Sequence, residues 1–276
     1  MKNSNPIVKA KKFATEKSIK LSEKTIEKTG SFLTITGDLA LFSAQTLRYI
    51  FAFPFEFREF LKQCFLIGNR SVALIGITGA IMGLVLTIQS RPILNEFGAE
   101  AMLPNMVAVS LVREIGPVIT ALLCAGKIGS GIGAELGSMK VTEQIDAMEV
   151  SATLPMKYLV VTRVLAATLM IPLLVVFADT MGLFGSWVGV NIKGEVNVAL
   201  FFSKAFSSLD FIDVIPALIK SFFFGTVIGI IGCYKGYTAG RGTESVGIAA
   251  NSAVVLSSLL IIVVDLIVVQ ITDMIS

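Results

Sequence analysis

Five long runs of apolar residues occupy most of the chain after its first seventy residues, and each predicts a membrane-spanning helix. The runs cover about residues 72–89, 103–128, 158–190, 214–234 and 246–271. Each is close to or longer than the ~20 residues that an α-helix needs to cross ~30 Å of hydrocarbon. The third run is long enough to require a tilt or a bend, which Pro172 would supply. Continuous runs of this length are not typical of barrel strands. The pattern therefore predicts an all-α integral membrane protein with five spans.

The stretch before these runs, residues 32–65, is amphipathic rather than uniformly apolar. Two stripes at helical spacing are separated by Pro54. Their apolar members are Ile35, Leu39, Phe42 and Ile50, then Phe57, Leu61 and Phe65. We predict one or two helices lying in the membrane interface, and a sixth span over 32–53 is the alternative. The predicted organisation is a lysine-rich tail (1–30), an interfacial region (31–70) and a five-span domain (71–276) that contains a loop over 129–156.

Composition supports the membrane assignment and removes several classes of enzyme. Hydrophobic residues make up 54% of the chain and charged residues 16%, below the ~25% of soluble domains. There is no histidine, which excludes Ser-His-Asp triads, Cys-His nucleophiles and histidine-based metal sites. The three cysteines, Cys64, Cys124 and Cys233, lie in apolar surroundings and are expected to be buried and unpaired. The lysine-rich start lacks the apolar core of a cleavable signal peptide.

The distribution of basic residues predicts the orientation in the membrane. Twelve basic residues precede Ser71, and six more fall in segments on the same predicted side. The loops on the other side hold only Arg91, Lys193 and Lys204. Basic residues favour the cytoplasm, so we expect a cytoplasmic amino terminus and an external Ser276. The tail at 1–30 would then lie near anionic lipid, or act as a disordered solubilising segment.

Two adjacent charges, Arg113 and Glu114, lie about ten residues into the second span. A charge at that depth costs ~2.5–3.5 kcal/mol, so it normally faces protein or water. Neighbouring residues on a helix point ~100° apart, and each of these two therefore needs another partner. Pro117 disturbs the same turn because it displaces the carbonyl of Arg113. These three residues are candidates for a substrate site. The alternative is an internal ion pair, for example of Arg113 with Asp265 or Asp179.

The glycine-rich stretch from Gly126 to Gly137 matches part of a dinucleotide-binding pattern, but it follows an apolar helix instead of a strand. It also lacks the ending of a Walker loop. Glycines four residues apart permit close helix packing in membranes. We therefore predict a packing role for Gly129, Gly133 and Gly137, in a glycine-rich turn after the second span.

The segment 142–150 is a short polar stretch that predicts a small helix at the cytoplasmic mouth. Thr142 is a plausible N-cap, and Glu143 and Asp146 fall in the first turn, where the helix dipole favours acids. A narrow apolar face is formed by Val141, Ile145 and Met148. This helix is either an ordinary solvated segment or a plug for a groove on another protein.

The sequence LVREIGPVITALLCAGKIGSGIGAELGSMKVTEQIDAMEV resembles the MlaE/YrbE family of permease subunits of ABC-type lipid transporters. The resemblance implies a five-span permease that forms a homodimer, with phospholipid between the two copies. It implies a cytoplasmic ABC ATPase, which holds the ATP and magnesium, and periplasmic MCE-domain lipid-binding proteins. It places Arg113 and Glu114 near the lipid cavity. It assigns ATPase coupling to Glu143, Gln144, Ile145, Asp146, Met148 and Glu149. The tail 1–30 and the segment 151–154 depart from the family pattern.

The predicted function is therefore a lipid-transport permease of the inner membrane that is not itself an enzyme, holds no cofactor and binds no nucleic acid. One alternative is an ion- or proton-coupled carrier of a hydrophobic substrate, which would use Glu114, Asp179 and Asp265. Such carriers usually contain paired repeats, and none is visible here. An intramembrane enzyme would need a nucleophile and base or a metal cluster, and the sequence offers neither. A scaffold without transport activity is a weaker alternative.

Overall fold

The computed structural model describes residues 34, 36–52, 55–192 and 196–275, and throughout these residues the secondary structure is helical. Five of the helices are long and apolar enough to cross a membrane. The predicted all-α fold with five spans is therefore confirmed. The lysine-rich tail predicted at 1–30 lies outside the described residues. The chain divides into two compact units, Met1–Gln45 and Thr46–Ser276, and the second contains all five spans.

Eight helices are described. The five candidate spans are α2, α3, α5, α7 and α8. The bounds are α1 36–50, α2 Phe57–Glu96, α3 Glu100–Val141, α4 Gln144–Val150, α5 Met156–Asn191, α6 Val198–Ser207, α7 Phe211–Tyr237 and α8 Thr243–Ile275. The described part of α1 is ~22 Å long at 1.5 Å per residue, which is less than the hydrocarbon thickness of ~30 Å. The interfacial placement of α1 remains a prediction.

The first span begins earlier than the sequence predicted. The second amphipathic stripe, which starts at Phe57, and the apolar run from 72 onward form one continuous helix of 40 residues. No proline falls between Phe57 and Arg91, so nothing in the backbone interrupts the helix. The predicted division at residue 70 therefore lies inside α2. Near its start α2 turns the polar side chains of Glu59 and Gln63 inward, where they are buried.

Helices α2 and α5 meet through glycines that leave no room for side chains. A Cβ added at Gly79 would come within 2.6 Å of the carbonyl oxygen of Ala178. A Cβ at Gly83 would overlap the backbone of Gly182, and one at Gly185 would overlap the backbone of Ala80. The two backbones are thus in direct contact, as small residues at four-residue spacing allow in membranes.

The glycine-rich stretch after residue 126 is part of helix α3, which contradicts the predicted turn. A Cβ at Gly133 would lie 3.3 Å from the backbone of Ala249 and Ala250 in α8. From the other side, a Cβ at Gly236 of α7 would come within 2.9 Å of the Gly133 carbonyl. Close packing on two neighbours stabilises a helix that its glycines would disfavour in isolation. The packing role predicted for these glycines is confirmed. Residues 129–141 of the loop predicted over 129–156 are helical, and the chain leaves α3 only after Val141.

A short helix, α6, lies between the third and fourth predicted spans, where no helix was predicted. Its residues Phe201 and Ala205 are completely buried and join a core cluster with Leu103 and Val107 of α3. The side chain of Asn197 caps the helix by accepting a hydrogen bond from the amide of Ala199 at 2.9 Å. Helix α6 therefore covers the end of the bundle opposite α4.

Candidate functional site

A π-helical turn, Leu111–Ile115, carries the two predicted charges of α3. The amide of Gly116 donates to the carbonyl of Leu111, five residues earlier, and Pro117 follows in the next α-helical segment. The wide turn accommodates a proline that has no amide hydrogen to donate. Pro117 itself is buried. It therefore shapes the backbone on which Arg113 and Glu114 are presented, and its ring lies inside the helix packing.

Glu114 forms an ion pair with a buried lysine of α7. The Nζ atom of Lys220 lies 2.6 Å from Oε2 of Glu114 and 3.1 Å from Oδ1 of Asp265 in α8. The Lys220 side chain is 2% exposed, whereas the Glu114 side chain is 42% exposed. Three spans are thus joined at one charged centre, with the buried cation between two carboxylates.

Arg113 pairs with a different acid, at the start of α7. Its Nη1 atom lies 3.6 Å from Oδ1 of Asp213, and the arginine side chain is 48% exposed. Asp213 is fixed in place by a reciprocal capping box with Asp210, whose backbone amide donates to the other Asp213 oxygen at 3.3 Å. The predicted separate partners for Arg113 and Glu114 are confirmed. The specific pairing of Arg113 with Asp265 or Asp179 is wrong, since its partner is Asp213.

Asp179 lies apart from this network, buried in α5 against the π-helical turn of α3. Its Oδ1 atom has no hydrogen-bond partner among the described residues. A Cβ added at Gly116 would overlap that oxygen, so the carboxyl rests directly on the α3 backbone. The three acids considered for a coupled carrier therefore do not form one site. Glu114 and Asp265 share Lys220, and Asp179 does not contact it.

The cavity beside the charged network is small. It has a volume of about 20 Å³ and is lined by both members of the adjacent pair, Arg113 and Glu114, together with Lys220. A space of this size holds one water molecule. Ligand pockets usually span ~300–1,000 Å³. Within the described part of one chain, this region does not enclose a lipid.

The short helix α4 lies at the opposite end of α3 from its start at Glu100. Glu143, the residue before α4, adopts a left-handed backbone with φ 57°, and Ala152, just after it, has the same φ. The sequence predicted Thr142 as the N-cap of α4, and this prediction is wrong. Thr142 instead follows the last residue of α3, and its hydroxyl donates to the Ser138 carbonyl at 2.8 Å.

The exposed face of α4 is mainly polar. Ile145 is completely buried, so the predicted apolar face points into the bundle and anchors the helix there. Asp146 accepts from Lys140 at 2.7 Å, and Glu149 accepts from the Tyr237 hydroxyl at 3.2 Å. The predicted coupling residues that remain exposed are Glu143, Gln144, Asp146 and Glu149, while Met148 is half-buried. Val150 is 91% exposed and extends this surface.

Comparison with known proteins decides the family. The family model "Permease MlaE" matches residues 60–271. The chain belongs to the MlaE permease family. It is 40% identical over 235 residues to a probable ABC transporter permease protein of Rickettsia typhi, covering 85% of this chain and 91% of that protein. It is 36% identical over 214 residues to the intermembrane phospholipid transport system permease protein MlaE of Haemophilus influenzae, covering 77% of this chain and 82% of that protein.

A plant protein also belongs among the relatives of this MlaE-family chain. The chloroplastic protein TRIGALACTOSYLDIACYLGLYCEROL 1 of Arabidopsis thaliana is 31% identical over 225 residues, covering 82% of this chain and 64% of that protein. The predicted family resemblance is thus confirmed. With five apolar helices, this member of the family is a multi-pass membrane protein and a transport subunit of the ABC permease type.

Sequence reasoning missed Lys220, the central cation of the network in this MlaE-family chain. The signal was present, because a lysine stands inside the apolar run 214–234, where a charge needs a partner as much as Arg113 does. Asp213 was also missed, since it lies one residue before the predicted span 214–234. Neither pairing can be derived from spacing along the chain, because Lys220 is 106 residues from Glu114.

Proposed function

We propose that this chain is the permease subunit of an ABC-type transporter that moves phospholipid, or a related lipid, between the inner membrane and periplasmic MCE-domain partners. The observation that carries the proposal is the position of two partly exposed charges, Arg113 and Glu114, on a π-helical turn of a membrane span. The buried partners Asp213 and Lys220 hold these charges in place. The phospholipid transport named for the Haemophilus relative agrees with this role.

In this proposal Arg113 and Glu114 contact the lipid, and Pro117 maintains the turn that presents them. An arginine and a glutamate match the phosphate and the amine of a zwitterionic headgroup. The side chains keep 48% and 42% of their exposure, so both remain accessible beside their ion pairs. A headgroup would contact the exposed parts of the two side chains while Asp213 and Lys220 stay paired with them, so no buried charge is left without a partner.

A second copy of the chain would complete the lipid site. The 20 Å³ space beside Arg113 is far too small for a phospholipid, which supports a site formed between copies. One face of α8 offers an apolar surface for such a contact. Its exposed residues, spaced three or four apart, are Val255, Leu259, Ile262 and Leu266. We therefore propose a homodimer, and a monomeric mass for the detergent-extracted permease would contradict it.

The energy for transport would come from a cytoplasmic ABC ATPase that binds the exposed face of α4. Helix α4 is joined to α3 by a single turn and to α5 by the loop that follows it. A displacement of α4 would therefore be transmitted to the helix that carries Arg113 and Glu114. Helix α4 would then lie on the cytoplasmic side with the amino terminus, as the distribution of basic residues predicts. The ATPase would hold ATP and magnesium, and this chain would hydrolyse nothing.

Transport by the reconstituted complex tests the lipid-contacting residues. Arg113→Ala and Glu114→Gln are expected to lower ATP-dependent phospholipid transfer between proteoliposomes at least tenfold, while Lys220 keeps Asp265 as a partner and the fold is retained. Arg58→Ala, which removes an exposed charge at the start of α2, is the matched control. Wild-type transfer rates in folded Arg113→Ala and Glu114→Gln proteins would exclude a role in transport.

The docking surface is tested by charge reversal on α4. Glu143→Lys/Asp146→Lys should reduce recovery of the ATPase in a pull-down and uncouple hydrolysis from transport, with lipid still bound to the isolated permease. The comparison variant is Arg241→Glu, in the exposed loop between α7 and α8. Undiminished recovery with the α4 variant and loss with Arg241→Glu would place the docking surface on that loop instead.

The carrier hypothesis is kept as a second candidate because of Asp179, whose buried oxygen has no partner among the described residues. A carboxyl in this setting is a candidate proton-binding group. The two functions differ in their energy source. Transfer that requires the ATPase and continues without a proton gradient supports the ABC permease, whereas transfer driven by a gradient alone and lost in Asp179→Asn supports the carrier.

A further inference from the structure

A second cavity lies between α2 and α3, at the end of the bundle that carries α4. Its volume is about 320 Å³, much larger than the space beside Arg113. Lys127, on its wall, follows Glu114 by 13 residues, which corresponds to ~20 Å along the helix axis. The cavity is therefore separate from the charged network. Its polar lining residues are Gln63, Arg70, Ser71, Lys127 and Glu135.

The cavity carries a surplus of positive charge. Arg70 forms no side-chain hydrogen bond or ion pair with any described residue, and the Lys127 amine donates to the Arg70 backbone carbonyl instead of to an acid. The one acid in the lining, Glu135, accepts from the buried Arg163 at 2.8 Å. Among the described residues, the guanidinium of Arg70 and the ammonium of Lys127 are thus both without a carboxylate partner. An anion is the complementary ligand.

Ser71 adds an independent indication of a ligand. Its side chain is 2% exposed, and its hydroxyl has no hydrogen-bond partner among the described residues. Ser71 also lines the cavity, and buried hydroxyls are nearly always hydrogen-bonded, so a ligand oxygen at this wall would supply the bond that the described residues do not. The hydroxyl, the guanidinium and the ammonium together provide three kinds of donor at one place.

The remaining walls of the cavity are apolar and its position is close to the membrane surface. Leu66, Ile67, Ile128 and Ile132 line it. Lys127 follows Leu103 by 24 residues, or ~36 Å along α3, slightly more than the ~30 Å hydrocarbon thickness. With Leu103 at one boundary of the hydrocarbon, the cavity would lie at headgroup level of the other, where basic pockets between spans bind anionic lipids.

We propose that this cavity binds an anionic phospholipid of the surrounding membrane. Its phosphate would be held by Arg70, Lys127 and the Ser71 hydroxyl, and the first part of an acyl chain would lie on the apolar wall. A free phosphate ion would leave that wall without a partner. The site does not depend on the proposed transport function, since a lipid at this position is a resident ligand rather than the transported one.

The test measures retention of phosphatidylglycerol and of phosphatidylcholine by the full-length protein in detergent, using native mass spectrometry. The wild-type protein is expected to retain phosphatidylglycerol preferentially. Arg70→Ala/Lys127→Ala should weaken that retention about thirtyfold, roughly fivefold for each basic group at a membrane surface. The charge-matched control is Arg58→Ala/Arg241→Ala, which removes two exposed basic residues outside the cavity and should leave retention unchanged.

A steric variant tests occupancy without changing charge. Gly131 lines the cavity, and a Cβ added there meets nothing within 4 Å, so Gly131→Leu starts its side chain in open space and extends it into the cavity. Gly126→Leu, which also enters open space but does not line the cavity, is the matched control. Gly131→Leu should abolish preferential retention and Gly126→Leu should preserve it. If Gly131→Leu does not fold, Ser71→Ala replaces it and should weaken retention severalfold.

Three results would overturn the proposal. The first is unchanged retention in Arg70→Ala/Lys127→Ala. The second is loss in that variant together with full retention in folded Gly131→Leu, which would mean attraction at the surface without occupancy of the cavity. The third is complete displacement of phosphatidylglycerol by inorganic phosphate, which would make a free ion the ligand.

Discussion

Replacement of Lys220 by methionine should be among the most destabilising single changes in this protein. The variant removes the cation that lies 2.6 Å from Glu114 and 3.1 Å from Asp265, and leaves two acids facing each other beside a 2% exposed position. Removing one partner of a buried ion pair costs about 3–5 kcal/mol, because the remaining charge is left without compensation. For a chain of this size that loss corresponds to a fall of roughly 6–10 °C in the unfolding midpoint.

Thermal unfolding in detergent, followed by loss of helical signal at one fixed scan rate, measures this effect. Lys62→Met is the comparison variant, because Lys62 is 65% exposed and the buried Glu59 keeps a hydrogen bond from Gln63 at 2.8 Å when the lysine is removed. Replacing all three charges, as Lys220→Met/Glu114→Gln/Asp265→Asn, should recover most of the lost stability, since no buried charge then remains unpaired. A midpoint for Lys220→Met as high as that of Lys62→Met would refute a buried, ionised network.

Two further predictions concern backbone geometry. Gly83→Ala is expected to lower the free energy of unfolding by about 1–3 kcal/mol, because its Cβ would overlap the backbone of Gly182. The control is Gly126→Ala, whose Cβ meets nothing within 4 Å and which should be neutral or slightly stabilising. Equal unfolding midpoints for the two variants would contradict direct contact between α2 and α5. Ala152→Gly should raise stability by about 1 kcal/mol, because glycine adopts the φ of 57° after α4 without the cost borne by alanine. A lower midpoint for Ala152→Gly would indicate that the left-handed conformation is not strained.

Patterns along the chain predicted the number and type of the spans because each apolar run must be buried in lipid as a helix. The boundaries were less accurate where packing between helices decides the outcome. Gly133 and Gly137 suggested a turn by propensity, but contacts with α7 and α8 keep them helical. Thr142 fits a cap by composition, yet its hydroxyl bonds back to Ser138 and it ends the preceding helix.

The candidate site was predicted in part. Arg113 and Glu114 were identifiable because each is an isolated charge in an apolar span. Their partners could not be derived, since Asp213 and Lys220 are brought to them by the arrangement of α7 against α3. The sequence also could not predict whether the apolar face of α4 points into the bundle or toward a partner protein. Ile145 is equally compatible with a free docking face and with an anchor, and the structure places it in the bundle.

The two π-helical turns of α3, Leu111–Ile115 and Ala125–Gly129, set the rotational phase of the helix. A single-turn π-bulge is equivalent to one residue added to a regular α-helix, and each residue of such a helix turns the following faces by ~100°. Arg113 and Glu114 lie inside the first of these turns and the glycine face follows the second, so the angle between them differs from that in a regular helix of the same length. Deleting one residue from either turn would restore regular α-geometry locally and leave α4 close to its present orientation, whereas deleting a residue from a regular part of α3 between Arg113 and α4 would rotate α4 by ~100°. The number of residues in α3 between the charges and α4 thus fixes the orientation of α4 around the helix axis as well as its distance from Arg113.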